Sequence, residues 1–478
     1  MSALYDVAVI GAGPAGLAAA ALAARYALRT VLFDEQSQPG GRCYGPPATD
    51  VRLPSKLRAR ADSGNALVAA FRQSGATSVL DATVWSARKR DDGLCEIGVA
   101  HGPLDARSVR IAVARAMIVA TGAHARPFPI PGGTLDGSLG AAEARALLDA
   151  KSAGPSRRIV LAGNGPALWR LAAQHLDAGV PLEALLVTTP REQRRRALGK
   201  AWNFVLSPDF FPALALERSV RRRVRVISGV AAIVARGTGR VEAVEIETPG
   251  GAQILSADLL VLHQGMVPDV NLGSALGCAH RWNDAQACFE PVVDAWGGST
   301  LPGVFFAGDA AGIAGAAAAE ARGQLAALAV ANALGRIDAK ARDAAAVKPR
   351  AALTRALRAR GFLDTLHRPA DVYRIPRGAT VVCRCENVTA EQVIDALRDG
   401  AAGPNQVKAF TRCGMGRCQG RFCGLTVTEL VARERRIPAE QAGYFRLRWP
   451  VKPITLAELA ALPSSAEAER AVVRDTPH

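Results

Sequence analysis

Residues 6–16, Asp-Val-Ala-Val-Ile-Gly-Ala-Gly-Pro-Ala-Gly, decide the fold of this chain of 478 residues. The stretch is a short apolar strand that runs directly into three spaced glycines and an Ala/Leu-rich helix. In such a unit the first glycine permits a tight turn, the second lets the backbone approach a pyrophosphate, and the third lets helix and strand pack closely. The phosphates lie at the helix N-terminus, where backbone N–H groups point outward. The candidate binding residues are Gly11, Gly13, Pro14, Ala15 and Gly16.

The next strand supports a dinucleotide site. Residues 30–33 are apolar and are followed by Asp34, about twenty residues after the glycines, the usual spacing for an acid in this motif. A carboxylate at this place accepts hydrogen bonds from the hydroxyls of an adenosine ribose. The spacing favours Asp34 over the adjacent Glu35. Strand, glycines, helix, strand and acid together predict an α/β domain with a Rossmann-like sheet.

Two later segments decide between FAD and NAD at this site. An apolar strand ends at Thr121-Gly122, and another ends at Gly308-Asp309 before a Gly/Ala-rich helix. Together with the first stretch, these segments resemble the flavoproteins that have two dinucleotide-binding domains. The resemblance implies FAD, with Asp309 bonding the ribityl chain. Residues 39–41 match the family's second FAD loop, although Arg42 stands where the family often has Gln. The resemblance adds Gly41, Arg42, Thr121, Gly122, Gly308 and Asp309 to the candidate FAD-binding residues.

A second strand, turn and helix lie between the FAD segments. Residues 158–168 repeat the strand and two of the glycines, but the third glycine is replaced by Leu168. The following strand ends at Val187-Thr-Thr, without an acid for an NAD ribose. We expect a retained scaffold that no longer takes hydride from NAD(P)H. The alternative is an NADPH site in which Arg191 and Arg194–Arg196 hold the 2′-phosphate.

Five of the nine cysteines lie between residues 383 and 423. A Cys-x-Cys pair followed by a glycine-spaced cysteine group can supply the four thiolates of a [2Fe-2S] cluster. A structural zinc site is the alternative, although such sites favour Cys-x2-Cys pairs. We expect the interspersed glycines, such as Gly414 and Gly424, to let the backbone approach the inorganic sulfides. The interspersed arginines would offset the cluster charge or form a solvated basic face. The cysteines are Cys383, Cys385, Cys413, Cys418 and Cys423.

The cysteine segment resembles the bacterioferritin-associated-ferredoxin type of [2Fe-2S] domain, specifically over residues 381–432. Between the cysteine groups, Thr389 and Gln392 fit a helix capping box. The resemblance implies Cys383, Cys385, Cys418 and Cys423 as metal ligands. The position of Cys413 is often not cysteine in the similar glycerol-3-phosphate dehydrogenase subunits, whereas other relatives use an earlier position, so Cys413 stays open as the alternative ligand.

Length and a hydrophobic content of 49% predict two or three domains. The net charge of +16 does not indicate nucleic-acid binding, because no aromatic-interleaved basic module or helix-turn-helix pattern accompanies it.

No apolar run reaches the ~18 residues of a transmembrane helix, and no signal pattern is present, so we expect a cytoplasmic protein, with peripheral attachment to the inner membrane as the alternative. The expected parts are the FAD-binding domain (1–150 and 271–345), the second dinucleotide domain (151–270), a linker (346–376), the [2Fe-2S] domain (377–435) and a tail that covers the body or a partner (436–478).

Over nearly its full length the chain resembles the alpha subunits of the opine oxidase, hydroxyproline dehydrogenase and hydrogen cyanide synthase family. The resemblance implies an FAD and [2Fe-2S] electron-transfer subunit of a heteromeric dehydrogenase acting on CH–NH or CH–NH2 donors. Its partner would be a beta subunit similar to glycine and D-amino-acid oxidases, and a further small subunit would be an additional component.

The electron acceptor would be a quinone or a redox protein. No catalytic acid or base stands out in this sequence, and no cysteine pair near the flavin half suits a dithiol relay. The catalytic residues are therefore left unassigned. The alternative function is an NAD(P)H-dependent FAD/iron–sulfur reductase.

Overall fold

The N-terminal part of the chain forms the first sheet of the computed structural model, which describes residues 4–44, 55–103, 106–149 and 157–462. β1 lies between β2 and β6 and runs parallel to both, and β4, β5 and β6 continue the sheet as an antiparallel meander. Its elements are β1 (Leu4–Ile10), α1 (Pro14–Arg25), β2 (Thr30–Phe33), α2 (Gly41–Tyr44), α3 (Ser55–Arg72), β3 (Thr77–Val79), β4 (Ala82–Lys89), β5 (Cys95–His101), β6 (Ser108–Val119) and β7 (Ala123–Ala125).

The second part forms a parallel five-stranded sheet in the order β11-β10-β9-β15-β8, next to the antiparallel ribbon β12-β13-β14. Its elements are β8 (Ser138–Gly140), α4 (Ala141–Asp149), β9 (Ile159–Asn164), α5 (Pro166–Asp177), β10 (Leu182–Val187), α6 (Arg191–Leu198), α7 (Ala201–Val205), α8 (Phe210–Arg221), β11 (Val226–Ser228), β12 (Ala232–Arg236), β13 (Ala243–Thr248), β14 (Gly251–Ser256), β15 (Leu259–Gln264) and β16 (Met266–Pro268).

The boundary expected at residue 150 falls inside this second part. β8 precedes that boundary, yet it pairs in parallel with β15 and therefore belongs to the second sheet. The sequence did not reveal this strand, because three residues are too few for a periodic pattern. The antiparallel pair β7 and β16 then connects the two parts of the chain.

The chain returns to the first sheet after β16. β19 pairs with residues 117–119 of β6, where β5 no longer covers that edge. The long helix α10 packs against α1, so the two helices share one apolar layer above the sheet. The elements are α9 (Asn271–Leu276), β17 (His280–Asn283), β18 (Cys288–Pro291), β19 (Val304–Phe306), a 3-10 turn (Gly308–Ala311) and α10 (Ala316–Ala333).

The remaining elements form a helical linker and a small helical module. The predicted capping box is present, since Gln392 N donates to Thr389 Oγ1 at 3.3 Å and Thr389 N donates to Gln392 Oε1 at 2.9 Å. The elements are α11 (Ala339–Leu357), α12 (Arg360–Leu366), α13 (Asp371–Arg374), β20 (Val381–Cys383), β21 (Val388–Thr389), α14 (Ala390–Arg398), α15 (Pro404–Thr411), α16 (Gly424–Arg435), α17 (Ala439–Ala442) and α18 (Leu456–Ala460).

The tail after α17 lies on two parts of the molecule. Phe445 is buried in the core of the helical module, whereas Val451 is buried in the core of the first sheet. Val451 N donates to Trp85 O at 2.9 Å, which fixes the tail to β4. The tail therefore joins the helical module to the FAD-type domain. Among the described helices, none has the length and apolar character needed to cross a bilayer.

The predicted fold class is confirmed. The chain has two Rossmann-like α/β units and a small, mostly α-helical C-terminal module. Residues 7–10 of β1 and 31–33 of β2 are apolar and buried, as expected for parallel strands covered on both faces.

Candidate cofactor sites

The turn after β1 has the geometry that its glycines predict. Gly11 has a φ of +111°, and a Cβ there would lie 2.3 Å from Ala120 O. At Gly16 a Cβ would lie 1.7 Å from Gly11 O, so no other residue permits this packing of α1 on β1. A Cβ at Gly13, by contrast, would meet no atom within 4 Å. Gly13 thus borders open space at the N-terminus of α1, where a pyrophosphate fits.

Asp34 holds the same turn from the end of β2. Its Oδ2 accepts from Ala12 N at 2.5 Å and its Oδ1 accepts from Gln36 N at 2.8 Å. Burial raises the pKa of this carboxyl against the effect of those two backbone donors. Glu35 is exposed and forms an ion pair with Lys452 of the tail. Each Asp34 oxygen has a second lone pair, so this residue can still accept from a ribose hydroxyl.

The second loop, residues 39–42, lies against the first. Gly40 N donates to Ala12 O at 2.9 Å, and a Cβ at Gly41 would lie 2.8 Å from Gly13 Cα. Arg42 lies close enough to His124 for its charge to lower the pKa of that imidazole, in addition to the larger effect of burial. The loop thus follows the glycine turn toward the junction between the domains.

The candidates from the two later segments converge on α1. A Cβ at Gly308 would lie 2.7 Å from Ala15 Cβ, so the Gly-Asp turn contacts the start of α1. Asp309 Oδ1 accepts from Ala314 N at 2.8 Å and from Gly315 N at 3.0 Å, just before α10. The hydroxyl of Thr121 is buried and has no hydrogen-bond partner in the described part of the chain. An unpaired buried hydroxyl beside an open glycine turn fits a bound dinucleotide.

The five clustered cysteines come together in the helical module. The Sγ atoms of Cys383, Cys413 and Cys423 all lie within 4.8 Å of one another, and the three residues are buried. Donation from Cys413 and Cys423 lowers the pKa of Cys383 to about 2. Cys418 hydrogen-bonds to Cys385 and lies close enough to interact electrostatically with Cys413. The thiols are therefore sufficient in number and proximity for a cluster of thiolate ligands.

The arrangement brings Cys413 into the thiol group along with the four expected ligands. The thiols of Cys413, Cys383 and Cys423 form a group of three, and those of Cys385 and Cys418 form a separate hydrogen-bonded pair. The glycines of this loop also have a packing role. A Cβ at Gly414 would lie 2.7 Å from the Phe445 ring, and a Cβ at Gly424 would lie 2.4 Å from Tyr444. The tail aromatics thus occupy the space beside Gly414 and Gly424, whereas a Cβ at Gly416 would lie 2.2 Å from Cys385 Cβ, against the thiol group.

Arg421 lies at the junction between the cysteine loop and the first part of the chain. Its Nη1 donates to Cys418 O at 3.2 Å and to Val451 O at 3.0 Å, and its Nε lies 3.2 Å from Asp269 Oδ2. Its carbonyl oxygen accepts from His124 Nε2 at 3.0 Å. Burial acts to raise the pKa of Asp269, but Arg421 and His124 hold it below its usual value.

A second contact at this junction comes from Asn271, whose Nδ2 donates to Gln419 O at 2.9 Å. The sequence analysis treated Arg421 only as one of several charges near the cysteines. Nothing in the sequence distinguishes it from Arg417 or Arg412, which are exposed.

In the turn of the second unit, the Asn164 side chain is bonded to other parts of the chain, although a Cβ at Gly165 would meet no atom within 4 Å, as at Gly13. Asn164 Oδ1 accepts from Thr189 Oγ1 at 2.8 Å and from His367 Nδ1 at 2.8 Å. Asn164 Nδ2 in turn donates to His367 O at 3.1 Å. His367 follows α12, so the linker lies across the carboxyl end of this sheet. Arg196, one of the candidate 2′-phosphate ligands, is exposed and pairs with Glu192 at 2.6 Å.

Two protein families match the chain. Residues 5–333 match the family "Pyridine nucleotide-disulphide oxidoreductase", and residues 381–433 match the "BFD-like [2Fe-2S] binding domain". These matches and the cysteine group confirm FAD and a [2Fe-2S] cluster as the cofactors of the chain.

The chain is similar to characterised proteins over almost its whole length. It is 43% identical to the A-type subunit of the opine oxidase of Rhizobium meliloti over 99% of this chain and 90% of that protein. It is 28% identical to "Hydrogen cyanide synthase subunit HcnB" of Pseudomonas protegens over 93% of this chain and 95% of that protein. The crystal structure of L-proline dehydrogenase from P. horikoshii has the same fold, with a TM-score of 0.70 and 19% identity over 96% of this chain and 80% of that one.

The chain therefore belongs to the family of A-type opine oxidase subunits and their relatives, oxidoreductases that combine an FAD domain with a C-terminal BFD-like [2Fe-2S] domain.

Proposed function

We propose that this chain is the electron-transfer subunit of a heteromeric dehydrogenase for amines or imino acids of the opine, hydroxyproline or glycine type. It relays electrons from a substrate-oxidising flavoprotein beta subunit to a quinone or a redox protein, in the cytoplasm or at the inner membrane. The reaction belongs to the class that acts on CH–NH or CH–NH2 donors. The subunit designations of the two similar proteins support such an assembly.

One observation carries the proposal. The cysteine loop packs directly on the domain with the glycine turn, through Arg421 to Asp269 and through Gln419 to Asn271. FAD can accept two electrons and release them singly, and a [2Fe-2S] cluster carries one electron. The side chains of Arg421 and Asp269 are only 13% and 16% exposed at this contact and would hold the two cofactor-binding parts in a fixed relation.

The residues proposed to hold the cofactors follow from the sites described above. Those for FAD are Gly11, Gly13, Pro14, Ala15, Gly16, Asp34 or Glu35, Gly41, Arg42, Thr121, Gly122, Gly308 and Asp309. Those for the cluster are Cys383, Cys385, Cys418 and Cys423, with Cys413 as the alternative ligand.

The cluster ligands can be tested by single Cys→Ser variants of the anaerobically purified chain. We expect Cys413→Ser to keep its iron and its reduced-state paramagnetic signal. Cys418→Ser and Cys423→Ser should each lose or strongly alter both. Loss of iron from Cys413→Ser with retention in Cys418→Ser would instead assign Cys413 as the fourth ligand.

The proposed division of labour can be tested with the separate subunits. The purified chain alone should not reduce an electron-accepting dye with octopine, hydroxyproline or glycine, because no placed general base for C–H cleavage is evident in it. Addition of an oxidase-like partner encoded beside it should produce turnover with a substrate of this class. Robust turnover by this chain alone would contradict the proposal.

The alternative is an NAD(P)H-dependent FAD/iron–sulfur reductase, since the second unit keeps the fold of a nucleotide-binding domain. Two observations speak against it. The strand β10 ends in Val187 without a ribose acid, and Asn164 in the turn is already bonded to Thr189 and His367. Under anaerobic conditions we expect NADH and NADPH to leave the flavin absorbance unchanged. Rapid bleaching by either would favour the reductase.

A further inference from the structure

An open groove of about 660 Å³ lies beside the cysteine loop, between α15 and the tail. We propose that this groove is the docking surface for an acidic one-electron carrier protein. The inference rests on the proposed function and specifies one of its two classes of acceptor. It is carried by the position of the groove, by its charge and by the distribution of its apolar residues.

The groove lies on the cysteine side of the molecule. Gly414 and Gln419 line it, and each directly follows a cysteine of the thiol group, Cys413 and Cys418. No residue of the glycine turn or of the Gly-Asp turn lines the groove. A protein seated there contacts the loop that holds the cluster and remains apart from the flavin-binding turns.

The charge of the groove is of one sign. Its lining residues, all in the described part of the chain, include the cations Lys408, Arg446 and Arg448 and no carboxylate. The ammonium of Lys408 lies 5.3 Å from the centre of the Phe445 ring, and Arg446 N donates to Asn405 Oδ1 at 2.6 Å. These contacts hold the cation-bearing segments in place. A concave surface of one charge raises the association rate of an oppositely charged protein.

The apolar residues of the groove favour a protein over a quinone. Two apolar residues of the lining are Met415, which is 45% exposed, and Trp449, which is half-buried. A small apolar centre with a charged, solvent-exposed rim is the usual anatomy of a protein interface. A small apolar ligand such as a quinone is held instead in an enclosed, mostly apolar pocket.

The electron balance of the proposed step is simple. One electron passes from the reduced iron–sulfur site to the carrier, which is reduced by one electron. No covalent bond forms or breaks, and no proton is transferred between the proteins.

Direct binding tests the surface without relying on turnover. The holo chain, with any subunit that co-purifies, is titrated calorimetrically with the acidic haem domain of cytochrome b5 and, for comparison, with basic cytochrome c. We expect the acidic haem protein to bind and basic cytochrome c not to bind. The affinity for the acidic protein should decrease as the salt concentration is raised from about 20 to about 200 mM. The double variant Arg446→Glu/Arg448→Glu should weaken binding at least about tenfold, and the corresponding Gln variant should have a smaller effect.

The matched control is Arg110→Glu, an exposed arginine in β6 outside the groove, which makes the same change of charge per residue. It should change the dissociation constant less than about twofold. Flavin and cluster absorbance verify that each variant is folded. Equal weakening by the control, or no weakening by the groove variants, would overturn the proposal.

Electron transfer separates this inference from the proposed function. The photoreduced holo chain is mixed with the acidic haem protein or with a short-chain ubiquinone. Reduction of the haem protein, slowed by the groove variants, supports the docking surface. Reduction of ubiquinone without binding or reduction of the haem protein would overturn the docking surface and leave the proposed function intact. Salt-sensitive binding without electron transfer to any acceptor would support the surface and contradict the proposed function.

Discussion

The two strand–turn–helix units of this chain share a topology and differ in what fills the space around the turn. In the first unit, Gly16 brings α1 so close that a Cβ would lie 1.7 Å from Gly11 O. In the second unit, the same position is Leu168, which is fully buried between α5 and its sheet. Asp34 follows the last residue of β2 in the first unit, whereas the corresponding residue of the second unit is Val187 at the end of β10.

The two turns also differ in whether the threonine hydroxyl near each of them has a hydrogen-bond partner. Thr121 in the first unit has a buried hydroxyl that finds no partner among the described residues. Thr189 in the second unit donates to Asn164, which also bonds His367 of the linker. The second unit nevertheless keeps buried polar atoms without a partner among the described residues, at His263 and Gln264 beside its turn. The two turns therefore differ in one contact, the bond from the linker residue His367 to Asn164.

The largest expected effect comes from making the first turn like the second. Gly16→Leu should abolish FAD binding and lower the free energy of unfolding by more than ~4 kcal/mol, because its Cβ would overlap a backbone oxygen. Flavin content and denaturant unfolding measure both effects. The reciprocal control Leu168→Ala leaves a cavity and should cost about 2–5 kcal/mol with FAD retained. A Gly16→Leu chain with full flavin content would contradict the close-packing explanation.

Asp309→Ala should remove FAD while leaving the iron in place. Its carboxylate holds the backbone N–H groups of Ala314 and Gly315 at the start of α10, and the cysteine module has its own core. Asp338→Ala is the matched control, since Asp338 accepts from Ala341 N at 2.7 Å at the start of α11. The control should lose about 1 kcal/mol of stability and keep its flavin. Loss of iron together with FAD would show that the two cofactor sites depend on each other.

His263 provides a pH-dependent difference between the units. It lies beside the turn after β9 as Ala120 lies beside the turn after β1, since a Cβ at Gly163 would contact His263 O and a Cβ at Gly11 would contact Ala120 O. Burial lowers the pKa of His263 to about 4. Between pH 6.5 and 4 the unfolded chain therefore binds more protons, and stability falls as the pH is lowered.

The lowered pKa of His263 should decrease the free energy of unfolding by about 2 kcal/mol at pH 5 relative to neutral pH, and His263→Met should remove this decrease. Unfolding of the wild type and the variant at pH 7.5 and at pH 5 measures the difference. At pH 7.5 both the folded and the unfolded states have a neutral imidazole, so that comparison reports the packing change alone. An unchanged pH dependence in the variant would contradict the assignment.

The smallest expected effect separates the two threonines. Thr189→Val should lower the free energy of unfolding by about 1 kcal/mol, because Asn164 loses a buried hydrogen bond. Thr121→Val should cost nothing in the FAD-free chain and should weaken FAD affinity by about fivefold, the equivalent of ~1 kcal/mol. Unfolding of FAD-free protein and flavin titration measure the two changes. Equal destabilisation by both variants in the FAD-free chain would contradict the comparison.

The sequence predicted those structural elements whose defining residues lie close together along the chain. The strand at residues 30–33, the glycine turn and the capping box of Thr389 and Gln392 all appear as expected. It also identified the cysteine group, although spacing alone did not predict that Cys413 would lie beside Cys383 and Cys423. The sequence did not predict the short strand β8, which pairs with β15 and so places residues before the expected boundary at residue 150 in the second sheet.

The sequence by itself determined the two Rossmann-like units and the cysteine group, because strand periodicity, glycine spacing and thiol chemistry are local properties of the chain. The expectation of FAD came from the resemblance that these motifs carry. Only the tertiary structure decided how these parts meet. His367 closes the second turn from 203 residues away, and Arg421 reaches Asp269 across 152 residues. The tail residue Phe445 fills the space beside Gly414. Such contacts depend on burial and on the packing of distant segments, and no pattern within a single segment encodes them.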